Sequence, residues 1–231
     1  MRIITMNNNN TVKEQKALYV RKIDSNLRAM QVHLKEIYQI KLRYKRDIKE
    51  HEKTQAVYRD EVYQKGFTDI RENFINAITG KRSVILNELD AMFESVTKRH
   101  ELLDLEDVKI SNALKIIEAA GSKITLENIK KLVSQFEGDQ AGLQILKQAL
   151  EGVDALPLQI VNNMVYEPVT AFHKAKEVVW GELNPYHLGS VNLAAYEIAR
   201  LAKFEGFEFN ADIDPDGFID AVRKGAGLQV D

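Results

Sequence analysis

At 231 residues, with 45% hydrophobic and 29% charged side chains, the chain is long enough to bury the core of one large or two small domains. It has no cysteine, which excludes disulfides and thiolate metal sites and suits a cytosolic setting. Its net charge of −2 conceals an asymmetry: residues 11–60 hold 13 Lys/Arg against 7 Asp/Glu, and residues 205–231 hold 2 against 7. Ends of opposite sign suit head-to-tail contact or two different partners, and two solvated surfaces account for them equally well.

Glycine and proline are scarce, at 12 and 4 residues. Strands need turns built from those residues, so their scarcity, with abundant Leu, Lys, Glu, Gln and Ala, points to an all-α fold. The expected architecture is a set of long N-terminal helices, as a coiled coil or helical hairpin, followed by a compact bundle of shorter helices. No apolar run approaches the roughly 18 residues that a membrane span needs.

Residues 1–11 contain one Arg, a short apolar group and the run Asn7 to Asn10, and lack the apolar core of a secretory signal. They read as a disordered arm. Residues 12–105 form the long-helix region. Val20, Ile23, Leu27, Met30, Leu34 and Ile37 alternate steps of three and four, a heptad seam that Lys41 interrupts and Tyr44 and Ile48 resume. A helix of about 40 residues spans roughly 60 Å and must pair with another helix, from this chain or another. Gly66 reads as a bend or break. Phe67, Ile70, Phe74, Ala77 and Ile78 continue the pattern, with Gly80 as a C-terminal cap and Ser83 as the next N-cap. Ile85, Leu89, Met92, Val96 and Leu103 complete the region.

Residues 106–231 read as a C-terminal helical bundle with an acidic tail. A helix through Val108, Leu114, Ile116 and Ile117 ends at Gly121. Thr125 caps a second helix, stopped by Gly138, and Asp139 caps a third, stopped by Gly152. A helix follows over 168–180, and Asn184-Pro185 opens another that Gly206 closes. Trp180, with Val178, Val179 and Leu183, reads as core or interface, and Pro215 starts a last helix.

Candidate chemistry is sparse. Asp212, Asp214, Asp216 and Gly217 match the start of a calcium loop, but Arg223 stands where the closing bidentate carboxylate belongs. The stretch therefore reads as a capped helix start, with no metal. Gly80-Lys81-Arg82-Ser83 lacks the spacing and preceding strand of a phosphate loop. The five histidines show no metal-helix spacing, and no nucleophile elbow occurs. No catalytic, cofactor-binding or metal-binding residue is assigned, and the chain reads as a non-enzyme. Lys41, Arg43, Lys45 and Arg46 form the densest basic patch. A charged coiled-coil flank accounts for it better than contact with nucleic-acid phosphates, because acids are interspersed.

The stretch Ile124-Thr125-Leu126-Glu127-Asn128-Ile129-Lys130-Lys131-Leu132-Val133, with the helix from Gln140 to Leu150, resembles a short helical hairpin found in structural proteins of tailed bacteriophages of Gram-positive hosts. The resemblance covers about 30 residues. It implies a scaffolding-like or minor virion protein, made in the bacterial cytoplasm, that associates with itself and with other structural proteins. The alternative is a phage-encoded binding effector, such as an inhibitor of a host protein or a nucleic-acid-associated factor.

Overall fold

The computed structural model describes residues 2–102, 108–136, 139–151, 155–162 and 164–213, with the side chains at 2–11, 122 and 155–157 excepted. Eight α-helices follow one another among these residues: α1 (Arg2–Glu52), α2 (Asp60–Glu101), α3 (Val108–Ala120), α4 (Leu126–Ser134), α5 (Gln140–Leu150), α6 (Ala155–Asn162), α7 (Pro168–Glu182) and α8 (Asn192–Phe204). A single 3-10 turn, Gly121–Lys123, links α3 to α4, and no strand occurs among the described residues. The all-α class and the two long leading helices are as the sequence implies. Residues 2–11, expected as a disordered arm, instead extend α1. Once a helix is nucleated, each further Asn costs no more than about 0.7 kcal/mol.

The chain divides into two compact units. Unit 1 takes residues 1–25, 91–172 and 200–208, and unit 2 takes 26–90, 173–199 and 209–231. The expected boundary at 105/106 lies outside the described residues. The long helices do not form a region of their own, because the shorter helices pack on them within each unit. In unit 1 the rings of Phe93 and Phe172 meet at 5.3 Å, and in unit 2 Lys176 pairs with Asp90 at 2.7 Å.

Unit 2 is built on an antiparallel helical hairpin. Asn26 donates to Glu88 at 2.6 Å, Lys81 pairs with Glu36 at 2.7 Å, Tyr44 stacks on Phe74 at 4.1 Å, and His51 stacks on Tyr63 at 4.7 Å. As one partner's number rises, the other's falls. Leu27, Met30, Leu34 and Ile37 are buried from α1, with Phe74, Ile78, Ile85 and Leu89 from α2. Burying such a side chain stabilises by about 1.5–3 kcal/mol, which makes this double stripe the main support of the hairpin.

Two glycines behave otherwise than expected. Gly80 does not cap a helix, nor does Ser83 start one: α2 runs through both, and the Ser83 hydroxyl donates to the Thr79 carbonyl at 3.0 Å. Burial of Ile78 and Ile85 on either side holds the helix together against glycine's propensity cost of about 1 kcal/mol. Gly66 does not break α2, and lies against His51.

In unit 1, α3 to α6 enclose a core of Ile117, Ile129, Leu132, Phe136, Leu143 and Leu146, among others. The expected caps occur here: Thr125 Oγ1 accepts from the Asn128 amide and Asp139 Oδ1 from the Gly142 amide. Gly121 takes a φ of +49°, the left-handed conformation glycine adopts at least cost, and ends α3. Pro157 falls in the first turn of α6, where its missing N–H is harmless.

The helix expected from Pro185 begins only at Asn192. Asn184 instead folds the chain into a turn, its side chain accepting from the Tyr186 amide, and Ser190 accepts from the Asn192 amide. No strand occurs at residues 207–209. Gly138, Gly152 and everything from Asp214 onward, including most of the calcium-like stretch and the acidic tail, lie outside the described residues.

Candidate protein-binding sites

Unit 1 contains a buried polar cluster that begins with the end of α8. Gly206, at φ +79°, closes that helix: its amide donates to Lys203 O at 3.1 Å and the Phe207 amide to Ala202 O at 2.8 Å. The closure fixes Glu205 with its side chain wholly buried. Arg99 donates to its carboxylate and, at 3.3 Å, to its main-chain carbonyl. The Tyr166 hydroxyl donates to the other carboxylate oxygen, and His100 Nε2 lies 3.2 Å from the first. Tyr166 stacks on Phe204 at 4.6 Å. Beside it the Gln140 amide donates to Met164 O and Phe204 O at 3.1 and 3.0 Å and accepts from the Tyr166 amide. A buried carboxylate needs compensation of this completeness, and here the cation, the ring nitrogen and the phenol supply it. The cluster fastens α2, α5 and α8 together.

Next to this cluster lies a cleft of about 410 Å³, a size ordinary for ligand sites. One wall is a row from α2, Phe93, Thr97 and Glu101, with His100 beside it. The facing wall is a row of glutamines from α5, Gln140, Gln144 and Gln148, at the spacing that aligns side chains on one helix face. Glu167, Pro168 and Val169 complete the lining, which holds no Lys or Arg among the described residues.

Unit 2 leaves large apolar side chains in solvent along α7, the following turn and α8. Trp180 is 56% exposed and Tyr186 70%, with Leu188, Leu193 and Tyr196 also exposed. Trp180 is therefore not core. Its ring lies 3.9 Å from the guanidinium carbon of Arg82, which also donates to the Trp180 carbonyl at 3.3 Å. Arg82 is buried, its Nε makes no hydrogen bond to a described residue, and burial holds its pKa below the usual arginine range. The ring face supplies part of the compensation that a carboxylate ordinarily would.

Of the seam residues, Ile23, Leu27, Met30, Leu34 and Ile37 are buried, while Tyr44 and Ile48 are half-buried. Val20 is corrected: it is 39% exposed, so burial of the stripe begins at Ile23. The basic patch is also corrected at Lys41, which is 4% exposed and donates to the Gly189 carbonyl at 2.6 Å, out of reach of any phosphate. Arg43 lines a groove with Tyr44 and Phe74, Lys45 is exposed, and Arg46 lies 3.5 Å from Asp47.

Sequence reasoning missed Arg82 and the Glu205 cluster. Arg82 had a signal, since it falls at core spacing between Ile78 and Ile85. The Glu205 partners are separated by up to 106 residues and had none. Among the described residues no group of three or more metal-ligating side chains occurs, and no helix is long and apolar enough to cross a membrane. Compared with known protein families, curated proteins and solved structures, the chain matches none.

Proposed function

We propose that this chain is a non-catalytic assembly protein that associates, through helical surfaces, with copies of itself and with other structural proteins. The observation that carries the reading is the exposure of Trp180, Tyr186, Leu193 and Tyr196 in unit 2. Tryptophan, tyrosine and arginine are the residues that interfaces favour, and Trp180 is held in place by Arg82 before any partner arrives. The core seam of unit 2 is covered within the chain, so association draws on this outer surface and not on the heptad stripe. Opposite net charges in residues 11–60 and 205–231 favour an ordered contact between copies. The phage resemblance supports a virion or scaffold as the setting and the bacterial cytoplasm as the place of synthesis.

Light scattering coupled to size exclusion, at low and high salt and tens of micromolar protein, tests the proposal. The expected result is a mass above the monomer, reduced by salt and by the pair Trp180→Glu and Tyr196→Glu, with helical content unchanged. A strict monomer at both salt concentrations overturns it. The cleft in unit 1 favours one second reading, an effector that binds a single partner in discrete stoichiometry.

A further inference from the structure

We infer that the cleft of unit 1 binds a peptide segment of a partner chain that presents a lysine or arginine between apolar residues. This inference does not depend on self-association, and its test reads a different surface.

The sign of the charge comes first. Glu101 and Glu167 both line the cleft and both are exposed; Lys98, one turn back on α2, acts on Glu101 only after Glu94, with which it is paired. His100, the only described lining side chain able to carry positive charge, is directed at the buried Glu205. An anionic occupant would meet two carboxylates and no Lys or Arg among the described lining residues. A cationic one meets two acceptors in a partly desolvated space, where charge pairs gain over those in open water.

The walls decide between a free cation and a peptide. Phe93, Ile145, Pro168 and Val169 offer apolar surface for the methylene stem of a lysine or arginine and for its apolar neighbours. Gln144 and Gln148 stand one helical turn apart on the facing wall, each with a donor and an acceptor. Neither forms a hydrogen bond with a described side chain, unlike Gln140, which the buried cluster occupies fully. A side-chain amide suits a main-chain peptide group, which likewise offers one donor and one acceptor. The cleft thus combines main-chain partners, stem surface and carboxylates, and only a peptide uses all three.

The test is fluorescence anisotropy with the full chain and a labelled pentapeptide alternating leucine with lysine and arginine. A control peptide carries norleucine and citrulline in place of the two cations. The expected result is saturable binding of the basic peptide, weakened roughly fivefold by Glu101→Gln with Glu167→Gln, the effect of two exposed ion pairs. The neutral peptide should bind more weakly and be insensitive to that double variant. Ala141→Trp, which fills the cleft, should abolish binding, and circular dichroism reports whether each variant is folded. No binding of the basic peptide at millimolar concentration overturns the inference, as does equal affinity of the double variant and the parent chain. Displacement by spermidine at concentrations matching the peptide's own affinity also overturns it, in favour of a free polyamine. A monomeric chain that binds the peptide leaves this inference standing while removing the assembly proposal.

Discussion

A β-carbon placed on Gly66 would fall 2.5 Å from Cε1 of His51. The imidazole is itself fixed, stacked 7° from parallel on Tyr63 and bonded at 2.8 Å to the Tyr63 carbonyl. The glycine therefore serves close approach of two helices. Gly66→Ala alone should destabilise unit 2, because the displaced ring loses both contacts. In a His51→Ala background the same change should stabilise by up to about 1 kcal/mol, the helix-propensity gain of alanine over glycine. Urea denaturation of the four variants gives the coupling, and an equal effect of Gly66→Ala in both backgrounds would refute the account.

Gly80 and Gly142 lie in helices and should respond in opposite directions. Nothing lies within 4 Å of a β-carbon at Gly80, so Gly80→Ala should stabilise by about 1 kcal/mol. At Gly142 that carbon would sit 2.3 Å from Phe136 Cδ1 and 2.8 Å from the capping carboxylate of Asp139. Gly142→Ala should destabilise, at overpacking costs of about 1–3 kcal/mol less the propensity gain. Denaturation midpoints at fixed slope decide both.

Glu205→Gln removes the buried carboxylate that the Arg99 guanidinium, the Tyr166 hydroxyl and His100 share. The expected loss is about 3 kcal/mol of stability. Adding Arg99→Met should recover part of it, since a largely buried cation is then gone. If the double variant is as unstable as the sum of the singles, the pair does not interact as the geometry indicates.

Acid should release a smaller contribution in unit 2. Lys81 hydrogen-bonds Glu36, His33 does so second, and together they hold its carboxyl below the ordinary value of 4.5. A lowered carboxyl pKa stabilises the fold fully above the ordinary carboxylate range, and the contribution fades as pH falls through the lowered pKa. The carboxylate is 42% exposed, so solvent screens the pair and the effect on stability is small. NMR titration of the Glu36 side chain should show a midpoint below 4.5 that moves upward in Lys81→Met. An unmoved midpoint would remove Lys81 as the cause.

Much of the local structure was legible because it depends on near neighbours. The caps at Thr125 and Asp139, the end of α3 at Gly121 and the stripe from Ile23 to Ile37 all follow from side chains within a turn or two. Gly80 and Ser83 misled because tertiary burial on both sides outweighs a local preference of about 1 kcal/mol. Pro185 misled because Asn184 caps a turn as readily as a helix. The cleft and the Glu205 cluster were not legible at all, since distant segments must meet to make them. The interrupted seam was visible at Lys41, but its acceptor, Gly189, lies 148 residues away.

That lysine also fixes how α1 lies against the turn between α7 and α8. Leucine-like stripes are nearly self-similar under a shift of seven residues, so apolar burial alone discriminates poorly between one alignment and the next. Only in the alignment observed does the Lys41 ammonium reach the Gly189 carbonyl. Sliding α1 by a heptad would strand a cation against aliphatic side chains, at a cost of several kcal/mol. The residue that breaks the apolar pattern acts as a key, fitting a single notch in an otherwise repetitive rack.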